Sequence, residues 1–403
     1  MDEHPIPAQA ESPASELAEV QAEAPRKVPW QPWIDQIQDA AERGVCLRIR
    51  GGGSKDHLGD TTRGEVMDVR PWRGIEVYEP SELVMRVRGG TPLHEVEAAL
   101  AERAQHLAFE PPRHGFAPTQ SDAPTIGGVV ASGCSGPARV SRGAVRDHVL
   151  GCTVLTGRGQ ALSFGGAVMK NVAGFDLSRL MAGSMGTLGV ILDVTLKVMP
   201  QPVVAATMRF ELSEAEALAQ VNQWAARPLP LDASAWWDGM LVLRLRGARA
   251  AVASAVQGLY RERRGELLAP PVADAFWLGL RDQADEFFAR ARQAVSQAGQ
   301  HGVSLWRISV PPTTAPLGLP GEQLTEWFGA LRWVCSPAPA AVVHEVAHKA
   351  GGHAQVAFGA QPGPLVAASA LSVVQMRLHR QVQRAFDPQG VFDTGRLWPV
   401  ASS

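Results

Sequence analysis

The chain has 403 residues, with 38 basic against 40 acidic side chains and a formal net charge of −2, so its charge calls for neither nucleic acid nor an anionic membrane. Hydrophobic residues are 45% and charged residues 19%, enough for a large core and, at about 150 residues each, for two or three domains. Cys46, Cys134, Cys152 and Cys335 are scattered with no C-x-x-C, which argues against iron–sulfur and four-cysteine zinc sites and for thiols in a reducing compartment.

The first 24 residues carry six acids, no Lys or Arg and no apolar stretch, the opposite of a signal peptide. Residues 1–30 are therefore expected to form a disordered tail. No apolar run reaches the ~18 residues of a membrane helix. A helix from Trp33 to Arg43 puts Trp33, Ile37, Ala40 and Ala41 on one face. The apolar run Val45–Ile49 reads as a strand that empties into Arg50-Gly51-Gly52-Gly53-Ser54-Lys55. Consecutive glycines leave backbone N–H groups free to turn onto one anion, Ser54 adds a hydroxyl, and Arg50 and Lys55 add charge. That chemistry suits a pyrophosphate, although the spacing matches neither the nucleoside-triphosphate loop nor G-x-G-x-x-G. A glycine-rich turn by itself is most often only a turn.

Leu83–Arg88 alternates as a half-buried strand, and Thr91 reads as an N-cap with Pro92 opening a helix through Leu100. In the second cluster, Thr125-Ile126-Gly127-Gly128 leads to Ala131-Ser132-Gly133-Cys134-Ser135. Side chains this small let a flat or extended ligand lie against the backbone, with Thr125, Ser132 and Ser135 as hydroxyl donors; the plainer reading is a tightly packed crossing of strands. Val145–Leu162 reads as a hairpin turning at Gly157-Arg158-Gly159. A third cluster, Gly183 to Val190 with Gly186 and Gly189, feeds an alternating strand over 190–198. The clusters lie about 75 and about 60 residues apart. Glycine costs folding entropy, so three such clusters need a common reason.

Beyond Pro202 glycine thins out and tryptophan and alanine rise. Ser213-x-x-Glu216 is a capping box for a helix to about Ala226. Strands near 204–211, 241–246, 303–310, 330–335 and 353–358 alternate with helices near 250–263, 281–298, 322–328 and 338–350, and a last helix spans about 367–385. The order suggests a ferredoxin-like sheet with helices on one side. No tandem repeat is visible in the sequence.

Taken in order, Arg50–Ser54, Thr125–Gly128, Arg142–Gly151, Lys170–Asp176 and Gly186–Ile191 resemble the PCMH-type FAD-binding domain of the vanillyl-alcohol oxidase superfamily. Within it the chain resembles the family of FAD-binding E subunits of bacterial glycolate oxidases, from about residue 35 to 399, with Leu319–Gln323, Gly329–Trp333 and Phe386–Phe392 included. The resemblance implies an α+β chain with a two-part FAD-binding domain over 31–202, a ferredoxin-like cap over 203–385, and a tail, 386–403, returning to the first domain. It implies that Arg50 and Gly51–Ser54 wrap the FAD pyrophosphate, and that Thr125, Ile126, Gly127, Gly128, Ala131, Ser132, Gly133 and Ser135 line the ribityl chain and flavin. Gly186, Gly189 and Val190 would meet the adenine, and Asp147 would close the second motif. Relatives with covalent flavin carry a histidine directly after the glycines. Ser54 stands there, so the implied FAD is non-covalent and His57 is a loop residue.

Phe175 replaces a tyrosine common in such proteins, and Phe392-Asp393-Thr394-Gly395-Arg396 departs from their Phe-Asn-Pro-Gly-Lys ending, which leaves Arg396 as a partial substitute. The resemblance further implies oxidation of glycolate or a related 2-hydroxy acid to the 2-oxo acid, with electrons passing to a partner. Expected partners are a paralogous FAD-linked catalytic subunit and an iron–sulfur subunit, in the cytoplasm or at the inner membrane through those partners. A 2-hydroxy acid needs a proton acceptor and a cation for its carboxylate. His114 and His148, with Arg113 as clamp, are candidates, but structural roles fit them better and no catalytic base is assigned. An alternative is a non-catalytic FAD-containing subunit of the same complex. A remote one is a zinc peptidase, from His344-Glu345-x-x-His348 with Gly351, although the third ligand position holds Ala354 and His353 falls one residue early.

Overall fold

The computed structural model describes residues 28–59, 63–113, 123–166, 176–298, 302–359 and 371–398. Helix α1 (Gln31–Arg43) buries Ile37 and Ala40 and ends on Gly44, in the left-handed region at φ 66°. Strand β1 (Leu47–Arg50) pairs in parallel with β2 (Glu65–Asp68). Then come β3 (Ile75–Glu79), β4 (Val84–Arg88), α2 (Leu93–Ala101), β5 (Gln105–His106), α3 (Ile126–Ser132), α4 (Arg139–Arg142), α5 (Val145–His148), β6 (Val149–Leu155), β7 (Ala161–Gly165), α6 (Leu177–Leu180), β8 (Val190–Lys197) and β9 (Met199–Pro200). Five of these strands form an antiparallel sheet in the order β3-β4-β8-β6-β7. Ile126, Val129 and Val130 of α3 are fully buried in one core with Met85 and Val87 of β4 and Val194 of β8. The small-residue cluster is thus a helix laid on a sheet.

Thr91 does not cap α2. Pro92 holds the N-cap position, and the Thr91 hydroxyl instead donates to the Arg88 carbonyl at 2.7 Å. Strand β8 is buried on both faces rather than alternating, because one core cluster takes Val194 and Leu196 and another takes Val190 and Leu192, with Asp193 paired to Arg86 at 3.0 Å.

The second half is one eight-stranded antiparallel sheet. Its elements are β10 (Val204–Glu211), α7 (Glu214–Ala225), β11 (Leu231–Trp237), β12 (Met240–Gly247), α8 (Arg249–Glu262), β13 (Glu266–Leu267), α9 (Pro270–Arg281), α10 (Glu286–Ala298), β14 (Ser304–Ser309), β15 (Glu322–Glu326), β16 (Leu331–Ser336), α11 (Ala340–Lys349) and β17 (His353–Gly359). The strand order β13-β10-β12-β11-β15-β16-β14-β17 contains two ferredoxin-like units joined through β11 and β15. Residues 310–321 stand where the second unit would carry its first helix. The Ser213–Glu216 capping box forms as the sequence suggests. Helix 322–328 does not: its residues are β15 and the turn after it, because pairing with β11 and β16 on both sides overrides a weak helical preference. The helix expected over 281–298 starts only at Glu286, since Arg281 ends α9 and the chain breaks at 282–285, where Gln283 has φ 54°.

Helices cover both faces of this sheet, not one. Side chains alternate along a strand, so Leu241, Leu243 and Leu245 pack with α7 and α8 while Val242 faces the other way, with α9 and α10. Helix α11 shares the α7–α8 face through Trp306, Ile308 and Val334. The α9–α10 insertion covers only part of the second face. Arg244 of this face meets Glu110 of the N-terminal half at 2.8 Å. After α12 (Val373–Phe386) the chain returns to the N-terminal elements: the Leu47 N–H donates to the Val391 carbonyl at 2.7 Å, and the Asp387 carboxylate accepts from the N–H groups of Val391 and Phe392.

Candidate functional site

The chain leaves β1 at Arg50 and crosses directly against the start of α3. A Cβ on Gly52 would fall 1.7 Å from the Ala123 carbonyl oxygen, and one on Gly51 would fall 2.3 Å from the Thr125 hydroxyl. Only glycine permits that approach. Among the described residues, the backbone N–H groups of Gly51, Gly52, Gly53, Ser54 and Lys55 donate to no protein acceptor. Nearly all buried N–H groups are paired in folded proteins, so five consecutive ones around a cleft form a nest for an anion.

The cleft holds an empty volume of about 670 Å³, its open mouth included, and is lined by residues of the glycine turn, α3 and the 185–191 segment. Lys55 is buried there, 3.2 Å from the Ser54 hydroxyl. Burial lowers its ammonium to about 8, and the nearby Arg396 pushes the same way. Arg396 donates to the Leu58 carbonyl at 2.9 Å and to the Lys55 carbonyl. Arg50 is tied to Asp56 at 2.8 Å, so its charge is largely spent inside the turn. His57 is held near 4 by burial, with Lys55 and Arg396 adding to it, and is neutral at physiological pH. Thr125 caps α3, its hydroxyl accepting from the Gly128 N–H at 3.4 Å. A Cβ on Gly128 would meet only that hydroxyl and one on Gly186 only Ile49, so both glycines leave room on the cleft side.

Arg50, Gly51, Gly52, Gly53, Ser54, Thr125, Gly127, Gly128, Ala131, Ser132, Gly186, Gly189 and Val190 all line this cleft. Four of the expected residues do not. Ile126 is in the core, and Gly133 ends α3 at φ 62° against Gly183. Asp147 caps α5, accepting from the Ala144 N–H at 2.8 Å, and Ser135 accepts from the Val145 N–H at 3.1 Å while lining a second cavity. Sequence reasoning missed Asp56 and Met185, whose backbone sits at φ 52° beside Gly186; no pattern in the chain marks them. His148 is buried with its ring nitrogens 2.9 and 3.3 Å from the carbonyls of Arg142 and Lys197, a structural role. Arg113 pairs with Glu97. His114 and Phe175 lie outside the described residues, as do residues 1–27 of the N-terminal tail.

The second cavity lies between the α3–α4 connection and the open part of the sheet face that carries α9 and α10. Cys134, Ser135, Gly136 and Leu58 form one wall; Arg307, Glu326, Trp327, Trp333 and Gln355 form the other. It adjoins the first: Ser132 lines one cavity and Cys134 the other, and Lys55 and Leu58 stand in the same relation.

On α11, Glu345 pairs with Lys349 at 2.6 Å and His344 packs edge-on to Trp306 at 5.4 Å. Among the described residues no three His, Cys, Asp or Glu side chains gather as metal ligands, so the zinc-peptidase reading has no third donor.

Residues 33–165 match a family profile described as an FAD binding domain. The chain is 42% identical over 368 residues to glycolate oxidase subunit GlcE of Escherichia coli strain K12, covering 91% of this chain and 97% of that protein. It is 35% identical over 182 residues to glycolate oxidase subunit GlcD of Bacillus subtilis strain 168, covering 45% of this chain but only 37% of that one. Among solved structures, an alkyldihydroxyacetonephosphate synthase superposes with a TM-score of 0.57 at 14% identity, over 90% of this chain and 74% of that one, a likeness of fold.

Proposed function

The chain belongs to the glycolate oxidase subunit GlcE family of FAD-binding oxidoreductases, and from that premise we propose that it is the FAD-binding subunit of a glycolate oxidase complex, oxidising glycolate or a related 2-hydroxy acid. The observation that carries this reading is the row of N–H groups from Gly51 to Lys55 that donate to no acceptor among the described residues, at one end of a long cleft. A diphosphate fits the nest, with Lys55 as its cation; the surface from Gly127 to Ser132 takes the extended chain toward the second cavity. Bound FAD supplies a hydride acceptor. The protein's part is to hold that group, exclude water behind the sheet and bind the acid. Its partners are a paralogous FAD-linked subunit and an iron–sulfur subunit. Among the described residues no helix is long and apolar enough to cross a membrane.

Non-covalent attachment belongs to the same reading, since Ser54 offers no ring nitrogen to the flavin. Acid precipitation of the purified full chain should leave a colourless pellet and a yellow supernatant. Anaerobic glycolate should bleach the flavin band. A colourless protein that takes up no FAD refutes the flavoprotein reading. A yellow protein that glycolate never bleaches, even with its partners present, leaves only a structural FAD-containing subunit.

Lys55 gives the cofactor a pH dependence. Its lowered pKa, about 8, means that it is cationic below that pH and loses its charge above it. FAD affinity is therefore expected to fall about tenfold between roughly pH 7.5 and 9.5, read by recovery of free flavin fluorescence on dilution. Lys55→Met should bind more weakly at pH 7 and show a flat profile.

A further inference from the structure

We propose that the second cavity is the subsite for a small 2-hydroxy monocarboxylate, with Arg307 binding its carboxylate and Glu326 as the side chain that competes for Arg307. The inference rests on the 2-hydroxy-acid reading and adds the residues that would hold the acid.

Arg307 lies on β14, on the face shared by Leu305, Trp333 and Ala357. Its guanidinium stands 5.1 Å from the Trp327 ring and 6.0 Å from the Trp333 ring. Among the described residues it makes no ion pair and no side-chain hydrogen bond. The other arginine on the cavity wall, Arg281, is already held by Asp282 at 2.8 Å and Glu97 at 3.9 Å. Of the two arginines that line the cavity, Arg307 is therefore the one open to a ligand carboxylate among the described residues. A guanidinium among aromatic rings has little water to satisfy its five donors and binds a carboxylate in fork geometry.

The carboxylate nearest in role is Glu326, one residue before Trp327. It accepts a hydrogen bond from the Trp333 indole N–H at 2.7 Å. Burial raises it to about 8; the indole bond and Arg307 oppose that, while Asp285, ahead of α10, and Glu110, after β5, reinforce it. At neutral pH it is uncharged and leaves Arg307 to an outside anion. When it ionises it becomes an internal rival and repels that anion.

The backbone at this point is under strain. Trp327 and Phe328 have φ of 53° and 56°, in the left-handed region, each costing of order 1–3 kcal/mol. That turn sends the Trp327 indole across to donate to the Gly136 carbonyl at 3.0 Å, with Arg139 4.6 Å from the ring. The wall bearing Arg307 and Glu326 is thus fixed against Cys134–Gly136, where a ligand running along the first cleft past Ser132 would bring its far end.

The test uses the purified full chain and 2-hydroxy-2-methylpropanoate, which keeps the hydroxyl and carboxylate but has no C2 hydrogen to lose. Binding is followed by quenching of tryptophan fluorescence, a readout that needs no flavin. Arg307→Met should weaken binding about 30-fold or more, and Arg307→Lys less, with FAD content unchanged. Affinity of the parent should fall by up to about tenfold per pH unit above 8, and Glu326→Gln should remove that decline. Undiminished binding by an FAD-replete Arg307→Met, or an unchanged pH profile in Glu326→Gln, overturns the assignment. If Arg307→Met fails to fold, Arg307→Lys and the Glu326→Gln profile decide. A chain that takes up no added FAD yet binds the probe through Arg307 would refute the flavoprotein oxidase reading and keep the subsite.

Discussion

Gly52→Ala is expected to yield protein that folds but purifies without flavin, its FAD affinity reduced at least about 100-fold. The added Cβ would sit 1.7 Å from the Ala123 carbonyl oxygen, and backbone cannot swing aside as a flexible side chain can. The 51–55 turn must lift from the 123–125 segment, which spreads the N–H groups that face the cleft. Each charge-assisted hydrogen bond to a phosphate is worth about 1.5–3 kcal/mol, so losing two of five accounts for the effect. Gly258→Ala is the control: a Cβ there meets nothing within 4 Å inside α8, and the change should leave FAD content alone. The ratio of flavin to protein absorbance in the two variants checks the expectation. Retained flavin in Gly52→Ala would mean that the turn is not the anion site.

The same turn marks how far the sequence could be read. Three glycines after a strand announce a close backbone approach, and the 125–128 and 186–190 clusters announce two more. The structure brings all three to one cleft because glycine's lack of a side chain is itself the contact surface. Ser135 and Asp147 share the local motif, yet one lines a different cavity and the other caps a short helix. Residue type within a motif does not say which way a side chain points. The eight-stranded sheet was less legible. Glu322–Glu326 carries four polar residues in five and no apolar period, and it becomes a strand only because β11 and β16 flank it. Arg307 and Glu326 were invisible for the same reason: their chemistry comes from β14 and β15 flanking β16 with both side chains on one face, which strand order decides.

Strand order also builds the charge network that holds this face in place. Asp232, almost fully buried, accepts from Arg142 of α4 at 2.8 Å and from Arg244 of β12 at 2.6 Å. Glu110 accepts from Arg244 at 2.8 Å and Arg246 at 2.7 Å. Burial pushes the Glu110 carboxyl up, but the two arginines outweigh it and hold it at about 2, against 4.5 for a free side chain. A carboxyl depressed by that much contributes about 3 kcal/mol, complete above about pH 5 and lost as the pH falls toward 2. Asp232→Ala removes the buried carboxylate shared by Arg142, Arg244 and Arg246 and leaves Arg244 with Glu110 alone, a change expected to cost about 3–5 kcal/mol. Glu110→Gln should cost less at pH 7, because an amide still accepts a hydrogen bond, and should flatten the acid limb of the stability curve. Urea midpoints measured from pH 3 to 7 by tryptophan fluorescence separate the two variants. Equal acid sensitivity in the parent and Glu110→Gln would show that the network carries no charge of consequence. A steep loss confined to the parent would show that the sheet is clamped onto residues 110–142 by ionised groups, and that clamp is what keeps Arg307 opposite Cys134 and Ser135.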